Sequence, residues 1–224
     1  MSCNENAYTA REELALDLNA LDEAMAEPTL PLPDPYLLTH YRLEKQRVIF
    51  LTGTIDDRVL EHAKQIMLWS QADEAKNIPV ENREKIYIFI NSHGGSDFPS
   101  WSLVDAIAMS STPVVTVNFG IALSNGLTIL CAGDKRFALP HSTALYHVGG
   151  VDLSGDKNLV AQANKYFEQM DKEYVRWILE RTKIDSKLLA KKGKQGDWYI
   201  DAKTQLELGI VDSVATSFTE IFNA

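Results

Sequence analysis

Residues 85–133 read KIYIFINSHGGSDFPSWSLVDAIAMSSTPVVTVNFGIALSNGLTILCAG, and the way their apolar pattern changes period decides the fold. KIYIFIN is a β-rich run that closes in a glycine turn at Gly94 and Gly95. SLVDAIAMSS (102–111) has helical spacing and stops before Pro113. Proline lacks an amide hydrogen and disfavours helix in the residue before it, so the stop has a physical cause. PVVTVNFG (113–120) is the next strand, and SNGLTILCAG (124–133) the next helix. Strand–helix alternation predicts an α/β fold with right-handed crossovers around a largely parallel sheet.

Moving outward, RVIFLTG (47–53) reads as a strand, and DDRVLEHAKQIMLWSQADEA (56–75) as a helix opening on an aspartate N-cap. KRFALP (135–140) and TALYHVGG (143–150) read as further strands. Residues 158–182 form one long amphipathic pattern, and 201–215 a final helix and strand. LAKKGKQG (189–196) reads as a solvated loop. Before residue 47 the pattern weakens. Leu14, Leu16, Leu18, Leu21 and Met25 suggest an amphipathic helix, and EPTLPLPDPY (27–36) an extended proline-rich linker. The expected organisation is an N-terminal extension over 1–46, a propeptide or pore-facing segment, and a compact domain over 47–224.

The bulk numbers exclude several classes. A net charge of −9 without a basic stripe argues against a nucleic-acid partner. No apolar run approaches the ~20 residues of a membrane span. The acidic N-terminus lacks the basic-then-apolar pattern of a secretion signal. The two cysteines, Cys3 and Cys131, suggest no structural disulfide and a reducing, cytoplasmic setting. No histidine or cysteine spacing suggests a metal, and no glycine-rich loop with lysine suggests bound ATP, so no cofactor is expected.

In open α/β sheets ligands gather where strands end. Two such ends stand out, NSHGGS (91–96) and FGIALSNG (119–126). Ser124 lies between small Ala122 and Gly126, as a nucleophile on a tight strand-to-helix turn would. It also reads as a plain N-cap serine. Of the five histidines, His147 ends the run TALYH and ranks first as base; His93, inside the glycine turn, is its rival. His40, His62 and His141 read as surface residues. Asp197 in GDWYIDA could orient a base, although most loop aspartates are only caps. Gly94 and Gly95 permit close backbone approach to a substrate, and the Asn125 amide opens a helix.

Across roughly residues 47–215 the order and spacing of RVIFLTGTIDD, IYIFINSHGGS, GIALSNG, KRFALPHSTALYH, GDWYIDA and ELGIVDSV resemble the Clp protease proteolytic subunits (ClpP). The resemblance implies a ClpP/crotonase-like spiral of ββα units with a protruding handle helix, and a serine endopeptidase. It makes Ser124 the nucleophile, His147 the base and Asp197 the acid. Gly95 and Asn125 would donate the oxyanion amides, and Gly94, Val148, Gly149 and Gly150 would line the substrate groove. It further implies two stacked heptameric rings, homomeric or mixed, whose interlocking segment leads into the long helix. An AAA+ unfoldase of the ClpX, ClpA or ClpC type would dock on Tyr87, Phe89, Met109, Val117 and Phe137, consume the ATP and feed in unfolded polypeptide. Those five positions equally suit buried strand and helix residues.

The chain also departs from the family pattern. His93 replaces a usual proline, and Ile121, Leu123 and Asn125 replace glutamine, alanine and methionine around the serine. HVGG shortens a longer stretch after the histidine, and Gly196 replaces an arginine before the acid. A second reading is therefore a weakly active or regulatory ring subunit paired with an active paralogue. A third is an acyl-CoA hydratase or isomerase of the related crotonase superfamily.

Overall fold

The computed structural model describes residues 34–150 and 154–224. The expected helix over 12–26, residues 27–33 of the expected linker, and Cys3 lie outside the described residues. The chain divides into two compact units, Met1–Lys45 and Gln46–Ala224.

In the first unit the described residues form helix α1 (Pro35–Lys45). This corrects the extended reading of Pro35–Tyr36. Proline is well placed in a first helical turn, where its missing donor has no partner to lose. Asp34 starts the helix, its carboxylate accepting the Tyr36 amide at 2.9 Å and its carbonyl the Leu38 amide at 3.0 Å.

The second unit alternates as the apolar periods require. Strand β1 (Val48–Ile55) leads to helix α2 (Val59–Ala75). Strand β2 (Ile86–Gly95), helix α3 (Asp97–Met109), strand β3 (Val114–Leu123) and helix α4 (Asn125–Leu130) follow. Short strands β4 (Lys135–Ala138) and β5 (Thr143–Tyr146) precede the long helix α5 (Lys157–Arg181). Helix α6 (Ser186–Gln195), strand β6 (Trp198–Asp201), helix α7 (Ala202–Glu207), strand β7 (Ser213–Val214) and helix α8 (Phe218–Phe222) complete the chain. The sheet order is β1-β2-β3-β4-β7, with β5 pairing both β3 and β6. All pairings are parallel except β5 with β6.

Three local expectations change. Helix α2 has Arg58 at its N-cap with no side-chain cap; the Asp56 carboxylate instead accepts both the Arg58 amide and its guanidinium. LAKKGKQG is mostly the helix α6, capped by the Asp185 carboxylate on the Lys187 and Leu188 amides and anchored by buried Leu189. The HGG segment is not a turn: β2 runs through both glycines, pairing Gly94 with Thr54 and Gly95 with Ile55.

The core lies between the sheet and α2, α3, α4 and the C-terminal half of α5. Ile49, Leu51, Ile86, Ile88, Ile90, Leu103, Leu127 and Ile178 are buried there, as nearly continuous apolar strands of a covered parallel sheet should be. Ile178 is the only fully buried residue in α5. Its C-terminus is tied down by Arg181, which donates to the carbonyls of Cys131, Ala132 and Gly133. No helix among the described residues is long and apolar enough to cross a membrane.

Candidate active site

Strand register brings the site together. Parallel pairing of Leu123 with Leu145 puts the residues after β3 and β5 at one end of the sheet, where Ser124 and His147 stand. Antiparallel pairing of Tyr146 with Trp198 puts the residue before β6, Asp197, at the same end. Three side chains far apart in sequence thus converge by backbone pairing alone.

Ser124 occupies the turn between β3 and α4 with φ 53° and ψ −122°. This is a region non-glycine residues rarely adopt, at a cost of ~1–3 kcal/mol. The Ser124 amide donates to the Leu145 carbonyl at 3.0 Å, which fixes the strained turn to β5. Its hydroxyl makes no cap hydrogen bond, so the N-cap alternative does not apply. Ser124 Oγ instead lies 2.8 Å from His147 Nε2. With neutral imidazole the hydroxyl donates to that nitrogen, the geometry that activates an alcohol. On the far side of the ring, His147 Nδ1 is 3.5 Å from Asp197 Oδ1. That is longer than a good charge-assisted hydrogen bond, and the Asp197 side chain is 54% exposed.

Two glycines let β2 approach. A β-carbon on Gly94, whose φ is +91°, would stand 2.7 Å from Ser124 Cβ and from the Leu123 carbonyl. One on Gly95 would stand 2.2 Å from the Ile55 carbonyl. Only glycine fits at either position. Gly95, Asn125, His93, His147, Gly149 and Asp197 line one open groove of about 600 Å³ beside Ser124.

The Asn125 side chain, buried at 6% exposure, ties the two halves of the groove together. Its Nδ2 donates to the Gly95 carbonyl at 2.8 Å and to Asp97 Oδ1 at 2.7 Å. The clasp holds the end of β2 against the start of α4.

Residues 37–218 match the family described as Clp protease. The chain belongs to the Clp protease family. Its curated relatives include the ATP-dependent Clp protease proteolytic subunit 3 of Rhodococcus jostii, 32% identical over 80% of this chain and 86% of the relative. The proteolytic subunit 2 of Thermobifida fusca is 29% identical over 86% of this chain and 92% of its own. The proteolytic subunit of Streptococcus mutans is 29% identical over 77% and 86%. The fold is accordingly that of the Clp proteolytic subunits.

The remaining positions singled out by the family resemblance divide. His93 is exposed in the groove and makes no hydrogen bond to Ser124; the serine's partner is His147. Gly149 and Gly150 line the groove, whereas Gly94 packs beneath Ser124 and is a spacer. Val148 is 52% exposed and packs toward Gly193 of α6 rather than into the groove.

Of the five docking positions only Met109 is exposed; Tyr87, Phe89, Val117 and Phe137 are buried. The strand residues point into covered faces. Phe89 stacks on Phe50 at 5.1 Å between ring centroids, meets Phe119 edge-on and packs against Phe222, and these three rings reach the surface. Sequence reasoning missed Asp97 and the task of the Asn125 side chain; the signal available was asparagine at 125 where the family pattern has methionine. The buried Cys131 thiol is pushed up to about 12 by desolvation, so it offers no thiolate.

Proposed function

We propose that this Clp proteolytic subunit is a serine endopeptidase acting through Ser124, His147 and Asp197. The observation that carries the reading is the 2.8 Å contact between the strained, uncapped Ser124 hydroxyl and His147 Nε2. Ser124 Oγ attacks a peptide carbonyl as His147 takes its proton. The backbone amides of Gly95 and Asn125 stabilise the oxyanion, and His147 returns the proton to the leaving amine. Water activated by the same imidazole then releases the acyl group. Asp197 holds the ring in the productive tautomer and stabilises the imidazolium.

The relatives' names describe an ATP-dependent protease. An AAA+ unfoldase consumes the ATP and delivers unfolded polypeptide, docking on the aromatic surface around Phe50 and Phe119. Enclosure in stacked heptameric rings in the cytoplasm supplies the selectivity that an open groove lacks.

A second reading, a subunit needing an active paralogue, is favoured by one observation, the long and exposed His147–Asp197 pair. Reaction with a fluorophosphonate, followed by intact mass, tests both. The first reading expects one adduct on the chain alone and none on Ser124→Ala, with loss of peptide turnover of roughly 10⁴-fold or more. Labelling only after mixing with a second subunit supports the other. Undiminished labelling of Ser124→Ala overturns both.

A further inference from the structure

Beside the nucleophile the groove deepens into a recess of about 40 Å³. A single water needs ~10–15 Å³, so the recess holds a group of ammonium size with room to spare. Asp97, Ser124, Asn125 and His147 belong to both groove and recess; Asp171 and Tyr174 of α5 appear only in the recess. Residues 167, 170, 171 and 174 share one face of α5 by helical spacing, and that face closes the site.

We infer that this recess receives a cationic substrate side chain, a lysine ammonium above all, from the residue whose carbonyl Ser124 attacks. The inference rests on the serine-peptidase reading and adds its side-chain preference.

Three observations support it. First, the lining carries two carboxylates and no lysine or arginine. Asp97 spends Oδ1 on the Asn125 amide, and Asp171 makes no hydrogen bond or ion pair among the described residues. Asp171 Oδ1 lies 4.0 Å from where a β-carbon on Gly149 would stand, so its charge faces the groove wall next to His147. Second, Tyr174 of α5 forms one wall of the recess. Its ring is fixed by stacking on Tyr146, with centroids 5.6 Å apart and planes 7° from parallel. Third, Trp101 and Met170 supply apolar walls for a methylene stem.

The electrostatics agree. Burial and the charges of Asp97 and Glu168 push the Asp171 carboxyl above its usual range. A cation in the recess relieves that repulsion. An aliphatic side chain would strip water from these groups without replacing it, and an acidic one would add a third like charge.

The test uses the full chain and two peptidyl diphenyl phosphonates differing only in lysine or leucine at the attacked position. Rates of Ser124 adduct formation are followed by intact mass, with a simple fluorophosphonate as reference. The lysine probe is expected to react about tenfold faster than the leucine probe. Asp171→Asn lowers that ratio to near one, and Glu173→Gln, which alters an exposed pair with Arg176 instead, leaves it unchanged. Equal or faster reaction of the leucine probe overturns the inference. So does a ratio that survives Asp171→Asn, or an equal loss on both probes. Failure of the fluorophosphonate to mark Ser124 is a separate outcome: it overturns the peptidase reading, and this inference with it.

Discussion

The two ends of one sheet each hold an aspartate beside a basic partner, and the pairs differ in nearly every physical respect. At the N-terminal end of the strands, Asp73 at the end of α2 faces Arg47 before β1. Both guanidinium nitrogens bind it, at 2.5 and 2.7 Å, and Thr112 donates to it at 2.7 Å. The side chains are 2% and 14% exposed. At the C-terminal end Asp197 stands 3.5 Å from His147, with side chains 54% and 33% exposed. The first pair is closed, multiply bonded and holds strands to a helix. The second is open and singly aligned. Stability and chemistry are thus assigned to opposite ends of the same strands, where crossover connections close one edge and loops open the other.

The sharpest way to break this contrast is Asp73→Asn. The substitution keeps the shape and leaves the largely buried Arg47 guanidinium with only the exposed Glu84 carboxylate, at 3.8 Å, as counter-charge. It should cost about 3 kcal/mol of unfolding free energy, measured by urea titration at pH 7. Arg47, foremost, holds the Asp73 carboxyl below the usual carboxylate range. The ionised form therefore favours the folded state. Its contribution is complete above the unfolded pKa of ~3.9 and is lost as pH falls through the lower folded value. Wild type should lose stability across that acid window more steeply than Asp73→Asn. Parallel pH curves would show that the pair does not hold this end closed.

Asp197→Asn probes the open end. In a buried triad, removing the acid's charge costs ~10⁴-fold. With a longer and more hydrated pair, the loss in fluorophosphonate labelling rate should be nearer ~10²-fold, with folding stability unchanged within ~0.5 kcal/mol. A loss of the full buried size would mean that the pair tightens when the enzyme works. No loss would remove Asp197 from the chemistry.

Why some of this was legible in sequence follows from the same contrast. The β2 and β3 runs are apolar and continuous because both faces of a parallel sheet are covered, so IYIFIN and VVTV announce themselves. Ser124, His147 and Asp197 could be ranked because each follows or precedes such a run and the family pattern fixes their order. What stayed hidden depends on tertiary contact. The four residues of β6 are too few for an alternation, and α6 carries lysines around most of its surface, with only Leu189 fully buried. The burial of Phe89 depends on rings from β1 and β3, and Tyr87 hydrogen-bonds the Phe222 carbonyl across 135 residues. No local pattern encodes such partners. The Arg47–Asp73 pair is invisible for the same reason.

Asn125 gives the finest test, because its side chain and its backbone are assigned different tasks. Asn125→Ala retains the amide hydrogen proposed for the oxyanion and deletes the two side-chain bonds to Gly95 and Asp97. If those bonds only stabilise the fold, unfolding free energy falls by about 1 kcal/mol and the labelling rate per folded molecule stays as it was. If they hold Gly95 in register with the nucleophile, the rate also falls, by roughly tenfold, because a small misplacement of an oxyanion donor is felt in the transition state. The geometry favours the second result, since Gly95 has no side chain of its own to fix it. Asn125→Asp separates the cases further. It places a carboxylate against the Gly95 carbonyl and the Asp97 carboxylate, acceptors facing acceptors, and should label more slowly than Asn125→Ala. Equal rates for wild type and Asn125→Ala would leave the clasp as a fold element alone.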